Sequence, residues 1–143
     1  LATVGAADMI VDMPEIIQSG VHDRFPDLTF VAVETGAGWI PYILEQMDDR
    51  WWRNRNWLPV KLAHEPSFYF RRNWRSAIMI DHYAVDNRYS LGVDNLMWST
   101  DYPHHGCDWP ESRRVVEEMF RGVAEDERNK MCALNAAKLY KLV

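Results

Sequence analysis

The chain has 143 residues, of which 48% are hydrophobic and 26% are charged, with seven Gly and seven Pro. This composition is typical of one globular domain and excludes disordered and fibrous proteins. The net charge of -5 argues against a nucleic-acid partner, and no apolar run is long enough to span a bilayer. The two cysteines, Cys107 and Cys132, build no disulfide framework. We therefore expect a cytoplasmic protein with neither a nucleic-acid nor a membrane partner.

Helical patterns recur along the chain. The segment Asp12–Glu15 has the pattern of a helix start and predicts a helix that stops at residues 25–27. Apolar residues spaced as on one helix face predict a second helix that begins at Ile40. Two helices are predicted near the carboxyl terminus, one ending near Gly122 and one over residues 125–140. Residues 50–75 are predicted to be mostly loop with short helices, because two prolines interrupt them.

Three short segments, residues 30–33, 77–80 and 96–98, are apolar on consecutive positions. Strands that are buried on both faces of a parallel sheet have this pattern. Their alternation with helices predicts an α/β fold of parallel strands with right-handed helical crossovers.

An acid stands at or just past the end of each predicted strand: Glu34, Asp81 and Asp101. In parallel α/β folds, ligands and catalytic groups gather at the carboxyl ends of the strands, so we expect these carboxylates to converge on one rim. Carboxylates in such a place suit a hard metal ion or general acid–base chemistry. The alternative is that an acid only caps the helix that follows it, and Asp81 fits that alternative best.

The loop after the third strand carries further candidate ligands. His104, His105 and Cys107 follow Asp101 closely, and Asp, His and Cys side chains are ligands for zinc. A local four-residue zinc site is therefore one interpretation, although the spacing matches no standard structural zinc pattern. The other interpretation is that the two histidines are ordinary surface residues of a loop.

Several segments resemble a known family. The strings DRFPDL, WSTDYPHH and NAAKLY occur here in that order, and with the sequence around them they resemble the carboxyl-terminal part of the amidohydrolase-2 family of metal-dependent hydrolases. The resemblance implies a TIM-type (β/α)8 barrel with a divalent metal, expected to be zinc, at its mouth. Members of the family include hydrolases and non-oxidative decarboxylases of aromatic or small carboxylic acids.

The resemblance implies a role for Asp101, whereas the roles that we expect of Glu34, His104, Trp39 and His105 have no family support. Asp101 matches the family's aspartate that binds the metal and manages a proton. Glu34 stands where decarboxylase members carry a catalytic His, and we assign it to act as a base or to position the substrate. His104 is expected to donate a hydrogen bond at the mouth. Trp39 and His105 are assigned to substrate contacts, although Trp39 fits core packing equally well.

Two parts of the family's metal site are missing from the chain. It contains no His-x-His motif and no match for the histidine of the family's fifth strand. A complete barrel takes about 250 residues, so we interpret residues 1–143 as a single partial domain, the carboxyl-terminal half of a barrel. The remaining ligands are expected in an upstream half. Because a half-barrel leaves strand edges open, we expect self-association or pairing with that half, and no activity alone.

The sequence therefore predicts part of a metal-dependent hydrolase or non-oxidative decarboxylase that acts on a small organic acid, ester or amide. The second hypothesis is a non-catalytic α/β interaction module that associates through its uncovered apolar edge.

Overall fold

A computed structural model describes the backbone of residues 3–142 and the side chains of residues 6–142. Its strands are β1 (Phe30–Ala32), β2 (Trp74–Ile78) and β3 (Leu96–Trp98). Its helices are α1 (Thr3–Gln18), α2 (Val21–Arg24), α3 (Ile40–Asn54), α4 (Pro66–Asn73), α5 (His82–Asp86), α6 (Arg88–Leu91), α7 (Ser112–Met119), α8 (Glu125–Asn129) and α9 (Asn135–Leu139). A 3₁₀ turn (Val93–Asn95) precedes β3, and a π-helical turn (Lys130–Leu134) joins α8 to α9. None of the helices within residues 3–142 has the length and apolar character needed to cross a bilayer.

The three strands form one parallel sheet in the order β1-β2-β3, which confirms the predicted α/β class. The central strand differs from the prediction, since it begins at Trp74 and ends at Ile78. The apolar pattern missed the first half of the strand because Arg75 and Ser76 are polar. This strand alternates buried and half-buried residues instead of being apolar throughout. Asp81 therefore lies three residues beyond the end of β2.

The hydrophobic core lies on one face of the sheet. The strand residues that belong to this core and pack with the helices are Ala32, Trp74, Ile78 and Leu96. On the opposite face, the strand register places Val31 beside Arg75 and Ala77 beside Met97. Val31, Arg75 and Ala77 stay half-buried there. A sheet covered by helices on one face has the layering of the wall of a (β/α)8 barrel, whose helices form the outer ring.

The first helix begins earlier than predicted. It starts at Thr3, and Pro14 lies inside it. Proline removes the hydrogen bond to the carbonyl of Ile10, but Met13 and Ile17 on either side of it are fully buried in the core. Packing therefore maintains the helix through a residue that was interpreted as its start. It ends before Gly20, whose φ of 74° is left-handed, and the short α2 then follows.

The segment predicted to be mostly loop, residues 50–75, contains more regular structure than expected. Helix α3 continues to Asn54, α4 begins at Pro66, and only residues 55–65 between them have neither helix nor strand. Arg53 pairs with Asp49 at 2.9 Å one turn away, and Arg55 lies 3.6 Å above the Trp52 ring. These local contacts accompany the last turns of α3, where the sequence has no clean period.

The two helical segments near the carboxyl terminus are found where they were predicted. Helix α7 ends at Met119, and residues 125–139 are helical throughout, with the π-helical turn in the middle. The buried Asn135 donates from Nδ2 to the carbonyls of Val93 and Leu96, each at 2.8 Å. This side chain ties the last helix to the strand at the edge of the sheet.

A fully buried histidine, His22 of α2, packs against strand residues of the sheet. The Nε2 atom of His22 accepts a hydrogen bond from Trp74 Nε1 at 2.9 Å, and the Trp74 ring stacks on Phe30 at 4.9 Å. Burial lowers the pKa of His22 below its usual 6.5, and the nearby Arg72 lowers it further, against a smaller opposing effect of Asp23. The folded chain therefore holds His22 neutral at a pH where the unfolded chain protonates it.

Acidification is expected to destabilise the fold through His22. As the pH falls below 6.5, the unfolded chain binds a proton at His22 that the folded chain does not bind. The free energy of unfolding therefore decreases by at most about 1.4 kcal/mol per pH unit. Urea unfolding of the wild type at pH 7.5 and 5.5 measures this loss. His22→Gln should remove this part of the pH dependence, whereas His64→Gln, at an exposed position, should retain it. An equal pH dependence in His22→Gln would contradict the assignment.

Asn135→Ala is expected to lower the free energy of unfolding by about 1–3 kcal/mol, because it leaves two carbonyls without their donor. The matched control is Asn129→Ala, an exposed helical asparagine, which should change stability by less than about 0.5 kcal/mol. Urea midpoints at pH 7.5 test both variants. A loss in Asn135→Ala no larger than in the control would show that the edge contact is not stabilising.

Candidate functional site

The candidate site lies where the three parallel strands end. Glu34 is two residues beyond β1, and Asp81 and Asp101 are each three residues beyond β2 and β3. Because the strands are parallel and in register, the loops that carry these acids leave from the same edge of the sheet. Functional groups of parallel α/β proteins gather at this edge.

Glu34 and Asp101 share an unusual backbone conformation. Their φ angles are 61° and 58°, in the left-handed region that non-glycine residues rarely adopt. The third such residue among those described is Lys141, beyond the last helix. A non-glycine residue in this region costs about 1–3 kcal/mol and persists only where its surroundings enforce it, which happens most often at functional sites. Two of the three strand-end acids are therefore held at a conformational cost.

Asp81 has a structural role instead. Its Oδ1 accepts a hydrogen bond from the Ala84 amide at 2.9 Å, which confirms the predicted cap of the following helix. Its Oδ2 accepts from the amides of Ala37 and Gly38, at 2.7 and 3.0 Å, in the loop after β1. A Cβ added to Gly38 would lie 2.7 Å from Asp81 Oδ1, so the close approach requires glycine. The carboxylate is used to join two loops.

Asp101 lies beside His104. The distance from Asp101 Oδ2 to His104 Nδ1 is 3.3 Å, and the aspartate side chain is 24% exposed. In the structure Nδ1 also accepts a hydrogen bond from the Gly106 amide at 3.3 Å. A proton placed on Nδ1 would instead be donated to Asp101, because protonation turns this acceptor into a donor. The pair therefore has a defined place to hold one proton at the edge of the sheet.

The interpretation of this loop as a complete zinc site is wrong for the residues that the structure describes. No group of three or more His, Cys, Asp or Glu side chains among them is arranged to hold a metal ion. The His105 ring lies tilted by 39° against the His104 ring, with centroids 4.2 Å apart, and is exposed, while Cys107 is a half-buried free thiol. The loops that carry the three acids leave from one edge of the sheet, as expected, but the carboxylate of Asp81 already accepts hydrogen bonds from backbone amides.

Trp39 lies at the start of α3 and is half-buried against the core. Its Nε1 donates to the Thr35 carbonyl at 3.0 Å, which fixes the ring over the loop that carries Glu34. The structure gives the ring this packing role, and its assignment to substrate contact stays a prediction.

Sequence reasoning missed two aromatic residues in the loop after β3. Tyr102 and Trp109 meet edge to face, with ring centroids 5.8 Å apart, and each is 64% exposed. Their position beside Asp101 was the available signal. The contact between the two rings could not be predicted, because it depends on how the loop folds.

A cavity of about 590 Å³ lies elsewhere, among residues of α3, α4 and α6, and its lining includes Tyr42, Asp48, Ser67 and Arg71. None of the strand-end acids lines it. This cavity therefore contains none of the candidate acids, although Gly38, whose amide donates to Asp81, lies in its lining.

Comparison with solved structures confirms the predicted fold. The structure matches 5-carboxyvanillate decarboxylase from Sphingomonas paucimobilis with a TM-score of 0.76 and 28% identity, covering 90% of this chain and 38% of the other. It matches a dihydroxybenzoic acid decarboxylase from Polaromonas sp. JS666, solved with manganese and the inhibitor 2-nitroresorcinol, with a TM-score of 0.77 and 22% identity. The latter likeness covers 96% of this chain and 41% of the other. The fold is that of part of an amidohydrolase-type barrel.

Sequence comparison agrees. The chain is 27% identical to gamma-resorcylate decarboxylase from Rhizobium sp. strain MTP-10005 over 148 aligned residues, which cover 96% of this chain. The chain spans about 41% of the length of this curated relative. The family model described as amidohydrolase matches residues 2–142. Because that match extends over nearly the whole sequence, the chain belongs to the amidohydrolase family.

Proposed function

We propose that this chain is the carboxyl-terminal part of a metal-dependent decarboxylase that acts on a small aromatic carboxylic acid without an oxidant. The names of the relatives support the reaction, because gamma-resorcylate decarboxylase and 5-carboxyvanillate decarboxylase both release carbon dioxide from such acids. They do not support the alternative of a non-catalytic interaction module. The hydrolysis of an ester or amide is the other reaction that the family's description suggests.

The observation that carries the proposal is the placement of Asp101. It stands at the carboxyl end of β3 in a left-handed conformation, with His104 Nδ1 at 3.3 Å from its carboxylate. A carboxylate and an imidazole in contact can store and deliver a proton, which is the task of a general acid. The resemblance of the WSTDYPHH segment to the family supports a further role for Asp101, that of the metal-binding aspartate.

The reaction needs such a proton. In non-oxidative decarboxylation a proton is added to the ring carbon that bears the carboxylate, and the bond from that carbon to the carboxylate then breaks. The electron pair of that bond restores the aromatic ring, so the products are carbon dioxide and the ring with hydrogen in place of the carboxylate. In this proposal the Asp101–His104 pair supplies the proton.

The other predicted site residues have supporting roles in the proposal. Glu34, exposed on the loop after β1, positions the substrate or acts as a base. Its left-handed φ of 61° is the structural feature that supports such a role. His105, which lies against the His104 ring, and Trp39, whose Nε1 donates to the Thr35 carbonyl, are proposed to contact the substrate.

The described residues fit a divalent metal only in part. Asp101 offers one carboxylate, and no cluster of three ligand side chains exists within residues 6–142. In the proposal the remaining ligands come from upstream strands that pair with this part of the barrel. The metal would polarise the substrate. Zinc is the ion that the family resemblance implies, and manganese is the ion in the Polaromonas decarboxylase.

Pairing with an upstream half also explains the one-sided core. The sheet face that carries Val31, Arg75 and Ala77 is not covered as the helix side is. In a closed barrel this face is packed by side chains of the other strands. We therefore propose that the chain alone is inactive and that it associates either with that half or with itself.

The experiment is complementation. We expect the 143-residue chain to release no carbon dioxide from gamma-resorcylate, because its site is incomplete. Fusion to the part of the Rhizobium decarboxylase that precedes the matched segment should restore metal-dependent release. In that fusion Asp101→Asn should lower kcat by about 100-fold or more, since a general acid contributes about 10²–10⁴-fold.

Asp94→Asn is the matched control, because Asp94 is an exposed acid just before β3, at the opposite end of that strand. It should leave the rate unchanged. Circular dichroism checks that each variant is folded. A folded, metal-loaded fusion that releases no carbon dioxide would contradict the proposed function, and a fully active Asp101→Asn fusion would remove Asp101 from the mechanism.

A further inference from the structure

We propose that Tyr102 and Trp109 form a platform on which the ring of an aromatic carboxylic acid stacks beside Asp101. We call these two rings the aromatic platform. The inference rests on the proposed function for its ligand class, and it assigns the recognition of the ring to two residues that have no place in the proposed chemistry.

The platform belongs to the same loop as the candidate acid. Tyr102 directly follows Asp101, and the loop continues through Trp109 before α7 begins at Ser112. Backbone hydrogen bonds give the loop a defined shape: the His104 amide donates to the Asp101 carbonyl at 2.8 Å, and the Cys107 amide donates to the His104 carbonyl at 3.0 Å. The two rings are thus held at the sheet edge where the substrate would react.

The two rings support each other and leave surface free. They pack edge to face, at 5.8 Å between centroids and 67° between planes, which is a favourable arrangement for two aromatic rings. Each side chain is nevertheless 64% exposed. Exposed aromatic surface next to polar groups is typical of a binding site, and a ligand ring would remove part of it from water.

The chemistry of the loop favours a ring over a chain-like acid. The faces of Tyr and Trp rings are negative and their edges are positive, so an aromatic ligand is bound in an offset or edge-to-face contact that a saturated ring does not make. The imidazoles of His104 and His105, 4.2 Å apart, provide N–H donors next to the platform for the polar substituents of the ligand.

Two exposed tryptophans lack this setting. Trp57 is 86% exposed, in the irregular segment that follows α3, and Trp52 is covered by the Arg55 guanidinium at 3.6 Å. Neither lies in a loop that follows a strand. Trp57 therefore provides a control for binding to any exposed indole.

The test is binding to the 143-residue chain, measured by saturation-transfer NMR, with gamma-resorcylate as the probe and cyclohexanecarboxylate as the saturated comparison. We expect gamma-resorcylate to bind and cyclohexanecarboxylate to bind about tenfold more weakly. Trp109→Leu and Tyr102→Leu should each weaken gamma-resorcylate binding by up to about tenfold, which corresponds to the loss of an aromatic contact. Trp109→Phe, which keeps a ring, should retain most of the affinity.

Trp57→Leu should leave the affinity unchanged. Because all three positions are exposed, the variants are expected to fold, and circular dichroism verifies this. The proposal is overturned if the wild-type chain does not bind gamma-resorcylate, if Trp109→Leu binds as the wild type does, or if Trp57→Leu weakens binding equally.

The same variants separate this proposal from the proposed function. In the fusion with the upstream half, Trp109→Leu should raise KM more than it lowers kcat, because the platform binds the ring and transfers no proton. If the fusion releases no carbon dioxide but still binds gamma-resorcylate in a way that depends on Trp109, the result would support the platform and contradict the proposed decarboxylase activity. Carbon dioxide release with an unchanged KM in Trp109→Leu would contradict the platform alone.

Discussion

The parallel pairing of β1, β2 and β3 is the constraint on which the rest of the structure depends. Because β2 pairs with both neighbours in one direction, the loops after all three strands leave from one edge of the sheet. The core residues of the strands, among them Trp74 and Ile78, lie on one face, whereas on the other face Met97 is buried and Val31, Arg75 and Ala77 are half-buried. The same pairing therefore creates a functional edge and leaves a second face half-covered. Both features are those of one wall of a barrel. They are the reason that short buried strands lead to the proposal of an incomplete enzyme.

The contacts of the strand-end acids differ, and so do their roles in the structure. Asp81 accepts three backbone hydrogen bonds and joins the loop after β1 to the helix after β2. That connection fixes the loop in which Glu34 takes its left-handed conformation. Asp101 takes the same conformation in the loop after β3. There His104 lies against the Asp101 carboxylate, and the Gly106 amide donates to His104. Hydrogen bonds to ordinary backbone groups thus stabilise the loops, while the two acids with costly conformations stay available for chemistry.

The sequence predicted the parts of the fold that local patterns determine. Consecutive apolar residues located β1, β3 and the end of β2, and the position of Asp81 before a short helix identified it as a cap. The early start of α1 was missed because Pro14 indicates a helix start, whereas the burial of Met13 and Ile17 that maintains the helix is a tertiary effect. In the site, proximity along the chain predicted that Asp101 and His104 are neighbours. It also left open a four-ligand cluster, which does not form among the described residues. It gave no sign that Tyr102 would meet Trp109, because side-chain directions in a loop depend on its folded path.

The central claim is that this chain contributes one side of a metal site that other strands complete. Elemental analysis of zinc and manganese, made on the purified chain and on its fusion with the upstream half, tests that claim most directly. The account predicts no stoichiometric metal in the chain alone, stoichiometric metal in the fusion, and a clear loss of that metal when Asp101 is replaced by Ala in the fusion. Stoichiometric metal in the chain alone, or full metal content in the Asp101→Ala fusion, would contradict it.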